Sequence, residues 1–194
     1  MTLIRLSIFI FISLLSYKIM LASDNDYSLY SKALSEVKYS YSESTRNDSC
    51  DYFYISEEFI FDSIAAKDIQ KYHYKKIQNF SVELANKFRN LTIHKHTIKD
   101  SLTFETSCEF LKREEFNKYF NKNTSYGWPD FYKNHKIGAI VELSKILYNN
   151  SKTKAVLMIC IYSGCSSGRI YLVQMKKKNN EWALKKINII GYID

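Results

Sequence analysis

The C-terminal third constrains the fold most, because it reads as four short apolar runs separated by turn chemistry. The runs are Ile140–Leu147, Ala155–Tyr162, Ile170–Met175 and Trp182–Ile190. Between them stand Tyr148–Lys154, then Ser163-Gly164-Cys165-Ser166-Ser167-Gly168, then Lys176-Lys177-Lys178-Asn179-Asn180. Runs rich in β-branched and aromatic residues, bounded by Gly, Ser and Asn, are the pattern of successive hairpins. Residues 138–191 are therefore expected to form an antiparallel β-meander of about four strands.

Helical spacing dominates upstream. Asp26 suits an N-cap, and Tyr27, Tyr30, Leu34 and Val37 then fall on one helix face. The polar stretch Ser40–Asp51 reads as a surface loop, and Tyr52-Phe53-Tyr54-Ile55 as a strand entering the core. Ile77, Phe80, Leu84, Phe88 and Leu91 mark an amphipathic helix from Lys75 to Leu91. A short strand is expected at Leu102–Thr106, and a helix over Lys112–Phe120 with Phe116, Tyr119 and Phe120 inward. Pro129 suits a first helical position, in a short helix that turns Trp128 and Phe131 toward the sheet. The fold class that follows is α+β, with N-terminal helices packed on the C-terminal meander.

The chain has 194 residues, 46% of them hydrophobic, and at that length buries roughly 70% of its unfolded surface without metal or dense cross-linking. One proline, five glycines and no internal repeat argue against collagen-like or multi-module designs. The start of the chain has the layout of a secretory signal peptide. Arg5 is the positive flank, Leu6–Leu15 a short apolar core, and Ala22 and Ser23 small residues before acidic Asp24-Asn25-Asp26. Lys18 interrupts the run before the roughly 20 residues that a membrane span needs. Residues 1–23 are thus expected to be a signal peptide, cleaved after Ala22 or Ser23. Residues 24–194 would then form one secreted or periplasmic domain with no transmembrane segment. Loss of Arg5 and Lys18 lowers the formal charge from +8 to +6. Lysine, asparagine, isoleucine and tyrosine are all heavily used, so the basic balance carries little weight for nucleic acid.

Four cysteines remain in the exported part: Cys50, Cys108, Cys160 and Cys165. An even count in an exported protein reads first as disulfides. Cys160 and Cys165 flank a connection, Ile161–Gly164, expected to be tight enough to bring their Cβ atoms within bridging range. Cys50 with Cys108 would then tie the N-terminal half. Buried thiols are the alternative.

Trp128, Phe131, Gly138, Leu143-Ser144 and Ala155-Val156-Leu157 carry a resemblance to a widespread group of uncharacterised exported bacterial proteins. In that group a W-x-x-F segment precedes a G-x-x-x-L-S strand, an A-L-V-type strand, a C-G-x-G turn and a last strand bearing tryptophan. The corresponding turn here is Cys165-Ser166-Ser167-Gly168, followed by Tyr171-Leu172-Val173, and the tryptophan is Trp182. Asp26-Tyr27-Ser28-Leu29-Tyr30 is also similar to the start of that group. Leu147 stands where a glycine is usual, Asn134-His135 replaces an aromatic–proline pair, and Ser166 replaces a glycine. The resemblance implies fold and export and transfers no functional residue.

Chemistry is sparse. Ser166, Ser167, Gly168 and Arg169 make a small-residue turn whose N–H groups, with the guanidinium, suit an anion or small ligand. Hairpin turns also use Gly and Ser simply to permit positive φ, and that structural reading comes first. A hydrolase or small-ligand site near Cys165 and Arg169, with Cys165 or Ser166 activated by His135, is the alternative. It lacks the strand–turn–helix elbow of such nucleophiles. His94-Lys95-His96 puts two imidazoles on one side of a strand, but no third ligand stands at recognisable spacing, so no metal or cofactor is expected. Glu57-Glu58 and Glu114-Glu115 are adjacent pairs that point apart. Lys176–Lys178 and Lys185-Lys186 fall at a hairpin tip and edge, where lysines discourage strand-on-strand association. Sixteen tyrosines and twelve phenylalanines exceed what one core readily absorbs, and exposed aromatics mark binding surfaces. The function expected is non-covalent binding of a protein, glycan or envelope component, with nucleic acid disfavoured.

Overall fold

The structure is a computed structural model, and it describes residues 26–41, 52–59, 71, 73–90, 96–98, 108–120, 124–164 and 167–193. Its centre is a seven-stranded mixed sheet. The strands of the main path are β1 (Phe53–Ser56), β4 (Cys108–Leu111), β5 (Ala139–Leu143), β7 (Lys154–Ser163), β8 (Ser167–Lys178) and β9 (Glu181–Ile193). They lie in the order β4-β1-β5-β7-β8-β9, and β6 (Leu147–Tyr148) joins β7 beside β5. A separate pair joins β2 (Glu58–Phe59) to β3 (His96–Thr97).

The α+β class holds, and the sheet is larger than the sequence suggested. β5, β7, β8 and β9 are antiparallel neighbours, whereas β1 lies parallel to both β4 and β5. Four helices also stand within the strand series rather than ahead of it: residues 73–78 and Val82–Arg89 fall between β2 and β3, and α4 (Arg113–Phe120) and α5 (Thr124–Asn134) connect β4 to β5. That placement is what a parallel arrangement demands, since the chain must cross back over the sheet before running in the same direction.

Alternation along each strand sorts side chains to two faces. On one face Phe53, Ile55, Val141, Leu157, Ile159, Tyr171 and Val173 pack beneath helix α1, residues 26–41. Leu29, Ala33, Leu34 and Val37 of that helix are fully buried, as their spacing required. The other face has a divided roof. Helix α2, residues 73–78, and α3 (Val82–Arg89) bury Ile77, Leu84 and Phe88 against Val156, Met158, Cys160 and Leu172. Helices α4 and α5 bury Phe120, Trp128 and Phe131 against Tyr54, Leu111 and Ile140.

Several local expectations change. The helix expected over Lys75–Leu91 is broken, because Ser81 adopts extended backbone and its hydroxyl caps α3 through the Leu84 N–H. Helix α5 starts at Thr124, so Pro129 lies inside it and not at its first position. Proline there removes one intrahelical donor, and burial of Trp128 and Phe131 on either side holds the helix together. Gly127 is required by the α4–α5 crossing: a Cβ there would stand 2.1 Å from the Tyr119 carbonyl oxygen. The run Ile140–Leu147 splits at Ser144. The Ser144 N–H donates to the Met158 carbonyl, its Oγ accepts from the Met158 N–H at 2.8 Å, and its carbonyl accepts from the Tyr30 hydroxyl. The last hairpin closes on two residues only, Asn179 and Asn180, both with positive φ, so Lys176–Lys178 belong to the strand. The strand expected at Leu102–Thr106 falls outside the described residues.

Candidate functional site

The turn after β7 was the leading candidate for ligand contact. Strand β7 runs on through Ser163, and Ser167, Gly168 and Arg169 are already paired in the ladder, opposite Ser163, Tyr162 and Ile161. The small residues that seemed to form a loop are mostly strand. Arg169 lies with its guanidinium 5.5 Å from the centroid of the Tyr41 ring, and the Tyr41 hydroxyl makes a short hydrogen bond with Ser163 Oγ. This cluster joins α1 to the hairpin. Ser166 and Cys165 lie outside the described residues.

Of the cysteines expected in disulfides, Cys160 is a buried thiol and Cys108 lies on β4. Because β7 continues three residues past Cys160, Ile161–Ser163 of the connection expected to bring Cys160 to Cys165 is extended strand, and the turn begins only at Gly164. That removes the geometric basis of this pairing. Cys160 instead faces the α2–α3 roof among Val156, Met158 and Leu172, fully buried. Cys50, the expected partner of Cys108, lies outside the described residues.

A buried polar row went unnoticed in the sequence. Glu142 pairs across the ladder with Cys160, and one step beyond the last paired residues of β1 and β5 stands Ser56. Glu142 is 4% exposed and Ser56 1% exposed. The Tyr162 hydroxyl donates to the Glu142 carboxylate at 3.1 Å. Burial pushes the Cys160 thiol well up, and the nearby Glu142 adds to it, so Cys160 stays protonated and is a poor nucleophile. Burial likewise pushes the Tyr162 phenol up, with Cys160 and Glu142 acting in the same direction. A phenol that stays protonated and donates to the Glu142 carboxyl satisfies a buried acceptor. The signal was available as a lone acid inside the apolar run Ala139–Leu143.

His135, the proposed base, is held among rings. It stacks on Phe131 at 4.2 Å between centroids, and Tyr54 and Tyr119 meet it edge-on at 5.5 and 5.6 Å. The Glu115 carboxylate comes within 3.4 Å of Nε2 without the alignment of a hydrogen bond. His94 lies outside the described residues, and His96 is on β3. Among the described residues there is no group of three or more His, Cys, Asp or Glu side chains placed to share a metal ion.

The surface that stands out is the β9 rim. Among the described residues no strand pairs with the outer side of β9, which runs thirteen residues. Ile187 and Ile189 pair with Val173 and Tyr171, on the α1 side of the sheet. Ile189 is 37% exposed and Tyr192 71% exposed. On the opposite side Lys186 pairs with Gln174, whose amide donates to the Lys76 carbonyl of α2 at 3.2 Å. Lys75, Lys76, Lys185 and Lys186 are all exposed. The edge thus has an apolar margin on one face and a basic margin on the other. Most other aromatic side chains that the structure describes are drawn into the three core clusters.

Among the described residues no helix is long and apolar enough to cross a membrane. No family model, no curated protein and no solved structure matches the chain.

Proposed function

We propose that this chain is an exported α+β domain, secreted or periplasmic, whose role is non-covalent binding of a protein or other cell-envelope component. The observation that carries the reading is the β9 rim, where Ile189 and Tyr192 are turned to solvent on the outermost strand of the sheet. Contiguous apolar exposure beside charged residues is the composition of a recognition surface. The signal-like residues 1–23 and the resemblance to exported proteins support the location. Of the groups in the hydrolase alternative, Arg169 is stacked on Tyr41 and His135 is held among rings, while Cys165 and Ser166 lie outside the described residues.

The test is site-specific photo-cross-linking from position 192 of the full chain expressed in cells, followed by fractionation. A discrete adduct in the exported fraction, absent when the probe is moved to the buried position 157, is the expected result. Retention of uncut precursor in the cytosol, or absence of any discrete adduct, overturns the reading.

A further inference from the structure

We infer that the β9 edge accepts an extended, acidic–apolar alternating segment of a partner protein as an added strand. This rests on the binding reading above and names the partner chemistry at the same surface. Three observations converge. First, among the described residues β9 is the last strand of the sheet, so its outer backbone groups are the natural template for another strand. Second, the ladder between Lys186 and Ile189 keeps an unbroken register between two register shifts, so these four residues alternate cleanly between the two faces. Third, the two faces of that stretch differ in kind. Ile187 and Ile189 lie on the α1 side, while Lys186 lies on the side of α2, with Lys75 and Lys76 on the helix above it.

An added strand must alternate in the same way, since successive side chains point to opposite faces. Residues set beside Ile187 and Ile189 would be apolar, and those set beside Lys186 would be acidic. A second copy of this chain is a poor occupant. Antiparallel pairing of two β9 strands centred between Lys185 and Lys186 would set the lysines of the two copies against each other, and pairing centred on Ile187 would set Lys186 opposite Asn188, with no acid to meet it. β9 has a single acid, Glu181, at its start, where it offsets none of that repulsion.

The experiment titrates the full chain with a capped peptide of sequence Glu-Val-Glu-Ile-Glu-Val-Glu, read by fluorescence anisotropy and by amide chemical shifts. Saturable binding with shifts confined to β9 and its neighbours is expected. Alternate N-methylation of the peptide keeps its charge and removes its ladder bonds, and should weaken binding about tenfold or more. Lys186→Glu, with unchanged circular dichroism, should weaken binding to a similar extent, as should raised salt. Equal binding of the N-methylated peptide overturns strand addition, because it would show charge attraction alone. Tighter binding of phosphatidylglycerol vesicles or of inorganic polyphosphate than of the peptide overturns the partner class. If position 192 yields a discrete adduct in cells and the peptide does not bind, this inference fails and the binding reading stands. If neither occurs, both fail.

Discussion

At the β4–β1–β5 end the strands run parallel, and the face away from α1 is closed by interlocked rings. Phe120 and Trp128 lie 5.0 Å apart, Tyr54 and Phe131 likewise 5.0 Å, and His135 stacks on Phe131. At the β7–β8–β9 end the strands run antiparallel, and the outermost one leaves Ile189 and Tyr192 in solvent. The contrast teaches where the aromatic surplus went. Among the described residues a cluster of rings cements the parallel end, where long crossovers must be held down. Tyr39 on α1 and Tyr192 on β9 are left facing outward.

Raising the pH strains both ends at once and should have the largest effect. Burial pushes the Tyr54 phenol up to about 12, helped by the Glu109 carboxylate nearby, and burial also raises Tyr30, Tyr148 and Tyr162. A phenol harder to ionise in the native than in the unfolded chain contributes stability that is complete below its ordinary value of 10.0. That contribution is lost as pH climbs through the folded value. The urea midpoint should therefore hold up to about pH 10 and fall between about 10 and 12, with tyrosinate absorbance rising in the same step. Ionisation well before unfolding would mean that the rings are less enclosed than they look.

Truncation at the closed end comes next. Phe131→Ala removes a fully buried ring shared by Tyr54, Tyr119, Phe120 and Trp128, and should cost about 3–5 kcal/mol in urea denaturation. A loss under about 1 kcal/mol would show that the cluster collapses readily and that the comparison is overdrawn. The smallest effect is expected at the open end, where Tyr192→Ser should stay within about 0.5 kcal/mol of the parent. A cost there approaching that of Phe131→Ala would make Tyr192 part of the core and remove the ground for a recognition surface.

Legibility in the sequence followed the same division. The antiparallel strands were readable because each pairs with its neighbour in sequence, and the turns between them carry local chemistry such as Asn179-Asn180. Strand β4 was missed: Cys108–Leu111 alternates only weakly, and its partner β1 lies far back in the chain. No local signal marks a parallel pairing. Several of the residues that carry the resemblance serve packing and pairing. Trp128 and Phe131 fill the closed end, Ser144 substitutes its hydroxyl for a ladder partner, and a Cβ at Gly138 would stand 2.4 Å from the Tyr52 carbonyl oxygen. The β9 rim could be read only in part. The lysines and the late apolar run were visible, but which face each residue takes depends on two register shifts that composition does not reveal.

The parallel placement of β1 has a consequence for a polypeptide threaded through a pore from its N-terminus. The Tyr54 hydroxyl donates to the Lys136 carbonyl, 82 positions further on, and β1 meets β5 only beyond that point. Closing so long a segment is slow, and until it closes the early strand has no central neighbour to zip onto. Under the export proposed above, the parallel end locks only once β5 has followed β1 across.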